Sequence, residues 1–252
     1  MKKILYDNCF AIIAAGGSGQ RFGENKLFKQ VANLEVIIHT LIPFANLFSE
    51  EHIFIVVAAT QLQEYQNIVT KYFPERTFNF VLGGECRGES VENAVKEISS
   101  RNADFENKCI LIHDAARPLV TEELIADSIT NFEENKEQFS GVVVAKKIVD
   151  TVKQVAENSE IMCNVDRSKL WAMETPQIFD LAKLIAAYNY IKNEGLQLDS
   201  FTDDAAIMNY SDFKVKIFAN HKLNNKLTYQ QDLQMMEILL QHKYMEKENV
   251  WR

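Results

Sequence analysis

Residues 10–26 read FAIIAAGGSGQRFGENK, an apolar run that passes into four glycines and then an arginine and a lysine. Successive backbone N–H groups in such a turn form a concavity for an anion, which any side chain would block. Arg21 offers a planar fork to phosphate oxygens and Lys26 a point charge. Together they suit a triphosphate whose charge must be neutralised as a phosphoanhydride breaks. A Walker A loop needs a glycine five residues before a Gly-Lys pair, and no glycine here meets that spacing. The dinucleotide fingerprint G-x-G-x-x-G finds its first two glycines in Gly17 and Gly19, but Phe22 holds the third place and Gly23 comes one residue late. Most isolated glycine clusters are flexible strand-to-helix turns without a ligand. Two further polar loops, residues 83–90 and 113–118, weigh against that reading, as do Arg21 and Lys26. In the second of these loops Asp114 follows an apolar run, where an unpaired carboxylate is expensive.

The elements that must hold these loops follow from the pattern. Short apolar runs (FAIIAA, HIFIVVAA, FNFVLGG, KCILIHDAARP and GVVVAKKI) alternate with helical periodicities. Strands that are apolar throughout and alternate with helices imply an α/β fold: a Rossmann-like, mostly parallel sheet with helices on both faces. Ligands of such sheets sit outside the carboxyl ends of the strands, where all three polar loops fall. Thr60 with Gln63, and Thr228 with Gln231, read as capping boxes. Thr121 precedes another helix, and Gly195 ends the one spelled LAKLIAAYNYIKNEG. At about residues 147–170 the pattern weakens to an alternation around a turn at 157–160, which reads as a β-hairpin arm protruding from the sheet. FKVKIF is a late strand. Residues 1–252 thus read as a single domain with an arm, without repeats or linkers.

Bulk properties narrow the function. A chain of 252 residues, 47% hydrophobic, buries a full core without staples. Its net charge of -8 argues against a nucleic-acid or membrane-surface partner, so an anionic ligand must meet a local group of cations. Cys9, Cys86, Cys109 and Cys163 form no CxxC pair and suit free thiols in a reducing cytoplasm. Asp7 and Asn8 interrupt the apolar N-terminal stretch, which favours a first strand over a signal peptide, and no segment has the apolar length of a membrane span.

AIIAAGGSGQRFGENK, LGGECRGESV, LIHDAARP, VDRSKLW followed by ETPQ, and NNKLT occur in this order over about residues 10–240. In these motifs the chain resembles the 2-C-methyl-D-erythritol 4-phosphate cytidylyltransferases and their close relatives, the ribitol-5-phosphate cytidylyltransferases. The resemblance implies transfer of a cytidylyl group from CTP to an alditol phosphate. It gives Arg21 and Lys26 to the triphosphate, and Ala14, Ala15, Gly16, Gly17, Gly84, Glu85 and Ser90 to the nucleotide, with Gly83 beside them. Asp114 and Ala115 stand between ribose, metal and acceptor, with Arg117 near the acceptor. The cofactor implied is Mg²⁺ or another divalent cation, for which Asp114, and then Asp203, are the acids to consider; Asp203 equally suits a helix cap. His113 reads as structural. The resemblance further implies a homodimer with shared active sites. The arm, with Asp150, Thr151, Arg167 and Thr175, would serve the partner's acceptor site, and Lys226 would position the acceptor phosphate.

Two stretches depart from the family's usual pattern. Asn25-Lys26-Leu27 replaces Pro-Lys-Gln, and the competing pair Lys29-Gln30 is set aside by counting back from His39. Ile148 and Val149 stand where polar residues are common. Ala116 stands where ribitol-phosphate relatives often carry valine, which favours the branched methylerythritol acceptor. A dinucleotide-dependent oxidoreductase and a non-catalytic nucleotide-binding protein remain the alternatives from other classes.

Overall fold

The computed structural model describes residues 6–17, 22, 25–101 and 105–249. In chain order the strands and helices are β1 (Cys9–Ala14), β2 (Gln30–Val31), β3 (Leu34–Glu35), α1 (Val36–Leu47), β4 (Ile53–Val57), α2 (Leu62–Tyr72), β5 (Asn79–Leu82), α3 (Arg87–Arg101) and β6 (Cys109–Asp114). They continue with α4 (Glu122–Asn135), β7 (Gly141–Lys147), β8 (Lys153–Val155), β9 (Ile161–Asn164), β10 (Trp171–Asp180), α5 (Leu181–Asn193), α6 (Asp204–Tyr210), β11 (Val215–Ala219) and α7 (Asp232–Asn249).

Seven strands form the central sheet in the order β11-β7-β10-β6-β1-β4-β5. All neighbours pair in parallel except β10, which runs antiparallel to both β6 and β7. The mostly parallel expectation holds, and the antiparallel insertion is what the apolar runs did not foretell. Glu174, Thr175 and Gln177 are all buried in β10 and break its hydrophobic signal. Strand alternation sends Ala11, Ile13 and Ile55 to the face covered by α1 and α4, and Ile12, Phe54 and Val56 to the face covered by α3 and α5. The hairpin arm is β8 with β9, paired around residues 156–160. No helix among the described residues is long and apolar enough to cross a membrane.

Thr121 caps α4 by accepting from Leu124 N, and Gly195 follows α5 at φ +68°, both as the sequence implies. Neither capping box forms. A 3-10 turn, Ala59–Gln61, precedes α2, and no side chain caps that helix. α7 begins later than Thr228; the Asp232 carboxylate accepts from the N–H groups of Thr228 and Tyr229 at 2.8 Å each.

α7 is tied to the sheet layer through the fully buried His39 of α1. Its Nε2–H donates to the Val31 carbonyl at 2.6 Å, so Nδ1 accepts from the Tyr244 hydroxyl at 2.7 Å. Burial holds the His39 pKa below the ordinary 6.5, with Lys243 adding to the effect. The unfolded chain therefore binds a proton that the native state refuses, and stability present above pH 6.5 declines as the pH falls. Tyr244→Phe, which leaves Nδ1 buried and unpaired, should cost about 1–3 kcal/mol in urea unfolding at pH 7. His39→Asn should flatten the decline in stability between pH 7 and pH 5, measured by the same titration.

Candidate active site

Three strand ends bring the polar loops together. β1 delivers residues 14–17, β5 delivers the turn into α3, and β6 delivers Asp114; the loop after β11 adds Lys226. They enclose a cavity of about 670 Å³. Ala14, Ala15, Gly16, Gly17, Lys26, Gly84, Glu85, Ser90, Asp114 and Lys226 all line it, as the sequence motifs imply. Arg21 lies outside the described residues.

The turn after β5 needs its glycines. A Cβ on Gly84 would stand 2.4 Å from Glu89 Cβ, and one on Gly83 would stand 2.9 Å from Ser90 Oγ. Ser90 shapes this turn directly: its hydroxyl donates to the Cys86 carbonyl at 2.8 Å and accepts from Gly84 N–H at 3.1 Å. Glu89 Oε2 accepts from Glu85 N–H at 2.8 Å. The wall offered to a ligand is thus held by α3 and is largely main chain.

Asp114 is the electrostatic centre. Its Oδ2 lies 2.8 Å from Lys226 Nζ and 3.5 Å from Arg117 Nε, and its Oδ1 lies 3.8 Å from Arg87 Nε. Burial alone would raise the carboxyl's pKa. Lys226, then Arg87 and Arg117, outweigh burial and hold it well below the usual carboxylate range. Arg87 also meets the fully buried Asp204 at 2.7 Å, whose other oxygen accepts from the Tyr188 hydroxyl at 2.6 Å.

The backbone under Asp114 is fixed by a directed chain. Asp114 N–H donates to Thr175 Oγ1 at 3.1 Å, and the Thr175 hydroxyl donates to His113 Nδ1 at 3.0 Å. His113 Nε2–H then donates to the Arg117 carbonyl at 3.3 Å, which sets the tautomer. Burial, with Arg117 adding to it, lowers the His113 pKa to about 3, so the ring stays neutral. The structural role expected of His113 is the one it has. Ala115 is fully buried behind the cavity wall, with its N–H on the Ala14 carbonyl at 3.1 Å and its own carbonyl accepting from Thr40 at 2.8 Å. Arg117 Nη1 donates to the Asn224 carbonyl at 2.8 Å and so anchors the loop that carries Lys226.

The remaining expected site residues fall in different places. Thr175 is buried in β10 beneath Asp114 rather than presented on the arm, and its hydroxyl holds the Asp114 backbone. Arg117 is likewise buried and serves as a brace. Asp203 caps α6, accepting from Ala206 N at 2.9 Å and from Gln177 Nε2 at 2.8 Å. Asp114, ringed by three cations, does not fit a protein-held metal, and no group of three or more acids, histidines or cysteines among the described residues could hold one. Asp150, Thr151 and Arg167 are exposed and do not line the cavity of their own chain. Arg167 Nη1 donates to the Val149 carbonyl within the arm. Sequence reasoning missed Arg87 as a site residue. It stands in the GGECRGES motif, but only the fold brings Asp204 and Asp114 to it.

An open, mostly parallel sheet with a cationic, glycine-walled cavity at its strand ends defines an α/β fold of the nucleotidyltransferase kind. The family model described as 2-C-methyl-D-erythritol 4-phosphate cytidylyltransferase matches residues 9–242. A protein of that name from Dictyoglomus thermophilum is 32% identical over 241 residues, covering 95% of this chain and 97% of the relative. One from Alkaliphilus metalliredigens is 33% identical, covering 88% of each. Crystal structures of 4-diphosphocytidyl-2C-methyl-D-erythritol synthase from Anaerococcus prevotii and of the cytidylyltransferase from Francisella tularensis each superpose with a TM-score of 0.73 at 26% identity. They cover 92% of this chain and 96% and 100% of their own. The chain belongs to the 2-C-methyl-D-erythritol 4-phosphate cytidylyltransferase family.

Lys26 lines the cavity and Lys29 does not, which agrees with the alignment chosen from His39. Lys26→Ala should weaken binding of inorganic tripolyphosphate by about 10–100-fold, the loss of one charge-assisted contact. Lys29→Ala should bind as the unaltered protein does, with calorimetry comparing the two.

Proposed function

We propose that this protein transfers the cytidylyl group of CTP to 2-C-methyl-D-erythritol 4-phosphate, forming CDP-methylerythritol and pyrophosphate. The observation that carries the reading is the gathering of Lys26, Arg87 and Lys226 around one glycine-walled cavity in a chain of net charge -8. In the transfer, an acceptor phosphate oxygen forms a bond to the α-phosphorus as the bond to the β-phosphate bridge breaks. The electron pair leaves on pyrophosphate. No general base is required, because the attacking oxygen already carries negative charge. Lys26, with Arg21 from the glycine loop, stabilises charge on the triphosphate as it grows. Lys226, aimed by Asp114, receives the acceptor phosphate. Cytosine lies against the main chain of residues 83–90, whose carbonyl and N–H groups complement its N4 donor and O2 acceptor. Ala116 lines the same cavity, and its small side chain leaves room for the branching methyl of the acceptor.

A divalent cation does not fit the Asp114 site, so we assign the metal requirement to an ion that arrives with the nucleotide phosphates. The free thiols at all four cysteines support a cytoplasmic setting. Pyrophosphate release should be fastest with CTP and methylerythritol phosphate and stop on chelation with EDTA. Calorimetry should detect no Mg²⁺ binding to the protein alone. Equal turnover of UTP would remove the cytidylyl assignment, and faster turnover of ribitol 5-phosphate would replace the acceptor.

We further propose a homodimer in which each arm completes the partner's acceptor site with Thr151 and Arg167. Val149, Ile161 and Met162 support this, being apolar and 72%, 63% and 65% exposed on an arm that touches little of its own chain. Deletion of residues 147–169 should give folded monomers on a sizing column with no pyrophosphate release. An active monomer would refute the shared site.

A further inference from the structure

Lys26 opens a 3-10 turn, Lys26–Phe28, and the direction of that turn rests on the residue before it. Asn25 Oδ1 accepts from Leu27 N–H at 2.9 Å, which leaves Nδ2 to donate to Gln61 Oε1 at 3.0 Å and to the Tyr65 hydroxyl oxygen at 3.1 Å. Tyr65 is fully buried, and its hydroxyl in turn donates to the Ala15 carbonyl at 3.1 Å. Ala15 lines the cavity immediately before Gly16. The Phe28 ring meets Tyr65 edge-on, 4.6 Å between centroids, and closes the turn against α2 from the other side.

Both polar groups of this bridge have their donors and acceptors assigned by what surrounds them. A backbone N–H at Asn25 Oδ1 fixes the amide orientation, and a carbonyl at Tyr65 fixes the hydroxyl proton. Burial, partly opposed by Asn25, pushes the Tyr65 pKa up to about 12, so that proton stays in place at any working pH. The bridge therefore has one geometry, and it spans from the cation to the first residues of the glycine turn.

We infer that Asn25 and Tyr65 are positioning residues that set Lys26 against the glycine turn and act on cytidylyl transfer through it. The inference rests on the proposed role of Lys26 as a triphosphate ligand.

The test is a double-mutant cycle on kcat for CTP. Asn25→Ala and Tyr65→Phe are each made in the unaltered protein and in Lys26→Ala. With Lys26 present, each should lower kcat about tenfold and raise KM for CTP by less than that, within the ~10²-fold cost of a 1 Å misplacement. With Lys26 replaced, the same two substitutions should leave kcat unchanged, because nothing remains to be aimed. Equal losses in both backgrounds would show a structural role only and overturn the inference. Full activity of Lys26→Ala alone would overturn it by a different route, through the role of Lys26 itself. Asn25 is partly exposed, so Asn25→Ala carries the test should Tyr65→Phe fail to fold.

Discussion

The site is organised by the need to neutralise one buried carboxylate. Asp114 sits at the end of an apolar strand, where burial opposes its charge, and it stays ionised because Lys226, Arg87 and Arg117 converge on it. Those cations come from the loop after β11, the start of α3 and the loop after β6, so the ion cluster fastens three parts of the chain that meet only in the fold. A buried charge that loses its partners costs several kcal/mol, which makes each of these loops dependent on the others. The arrangement also limits what Asp114 can do. A carboxylate with its lone pairs turned to cations is a poor proton acceptor and a poor metal ligand. Lysine has three donors and gives one to Asp114, so donors remain for a phosphate.

The antiparallel strand β10 makes this possible. It enters the sheet between β6 and β7 and places Thr175 against His113 and beneath Asp114 N–H. The same strand is polar where it is buried. Glu174 accepts from Asn220 and Asn224, and Asn224 donates to the Thr175 carbonyl, so β10 also fixes the loop that presents Lys226. At its other end β10 pairs with β7 through Trp171 and Lys147 at the root of the arm. One strand thus joins the arm, Asp114 and Lys226.

What could be read from the residues alone follows a physical divide. Apolar runs and glycines report backbone requirements locally, which is why β1, β4, β5, β6 and β7 and the cavity wall at residues 14–17 and 83–90 were legible. The motifs LIHDAARP and NNKLT placed Asp114 and Lys226 at the site through resemblance, and the structure brings them to 2.8 Å. Polar burial is not local. Nothing in ETPQ announces a core strand, because its polar groups are satisfied by residues about 45 to 60 positions away. Arg87 escaped notice for the same reason, since its partner Asp204 lies on α6. The helix caps erred differently: Thr60 has the right spacing, but a 3-10 turn takes its place before α2.

The two lysines of the cavity are braced by different chemistry, and the difference suits an anionic ligand. Lys226 is aimed by a carboxylate, which gives direction but cancels part of its charge. The turn carrying Lys26 is aimed by an amide and a phenol, which give direction and subtract nothing. A chain of net charge -8 repels nucleotides at long range, but at physiological salt that repulsion is screened over about 8 Å. Inside that distance only the nearby charges matter, and the cavity holds Lys26, Arg87 and Lys226 against Asp114 and Glu85. A uniform basic surface would bind polyanions without order, whereas cations fixed against acids and carbonyls present an anion with donors in set directions.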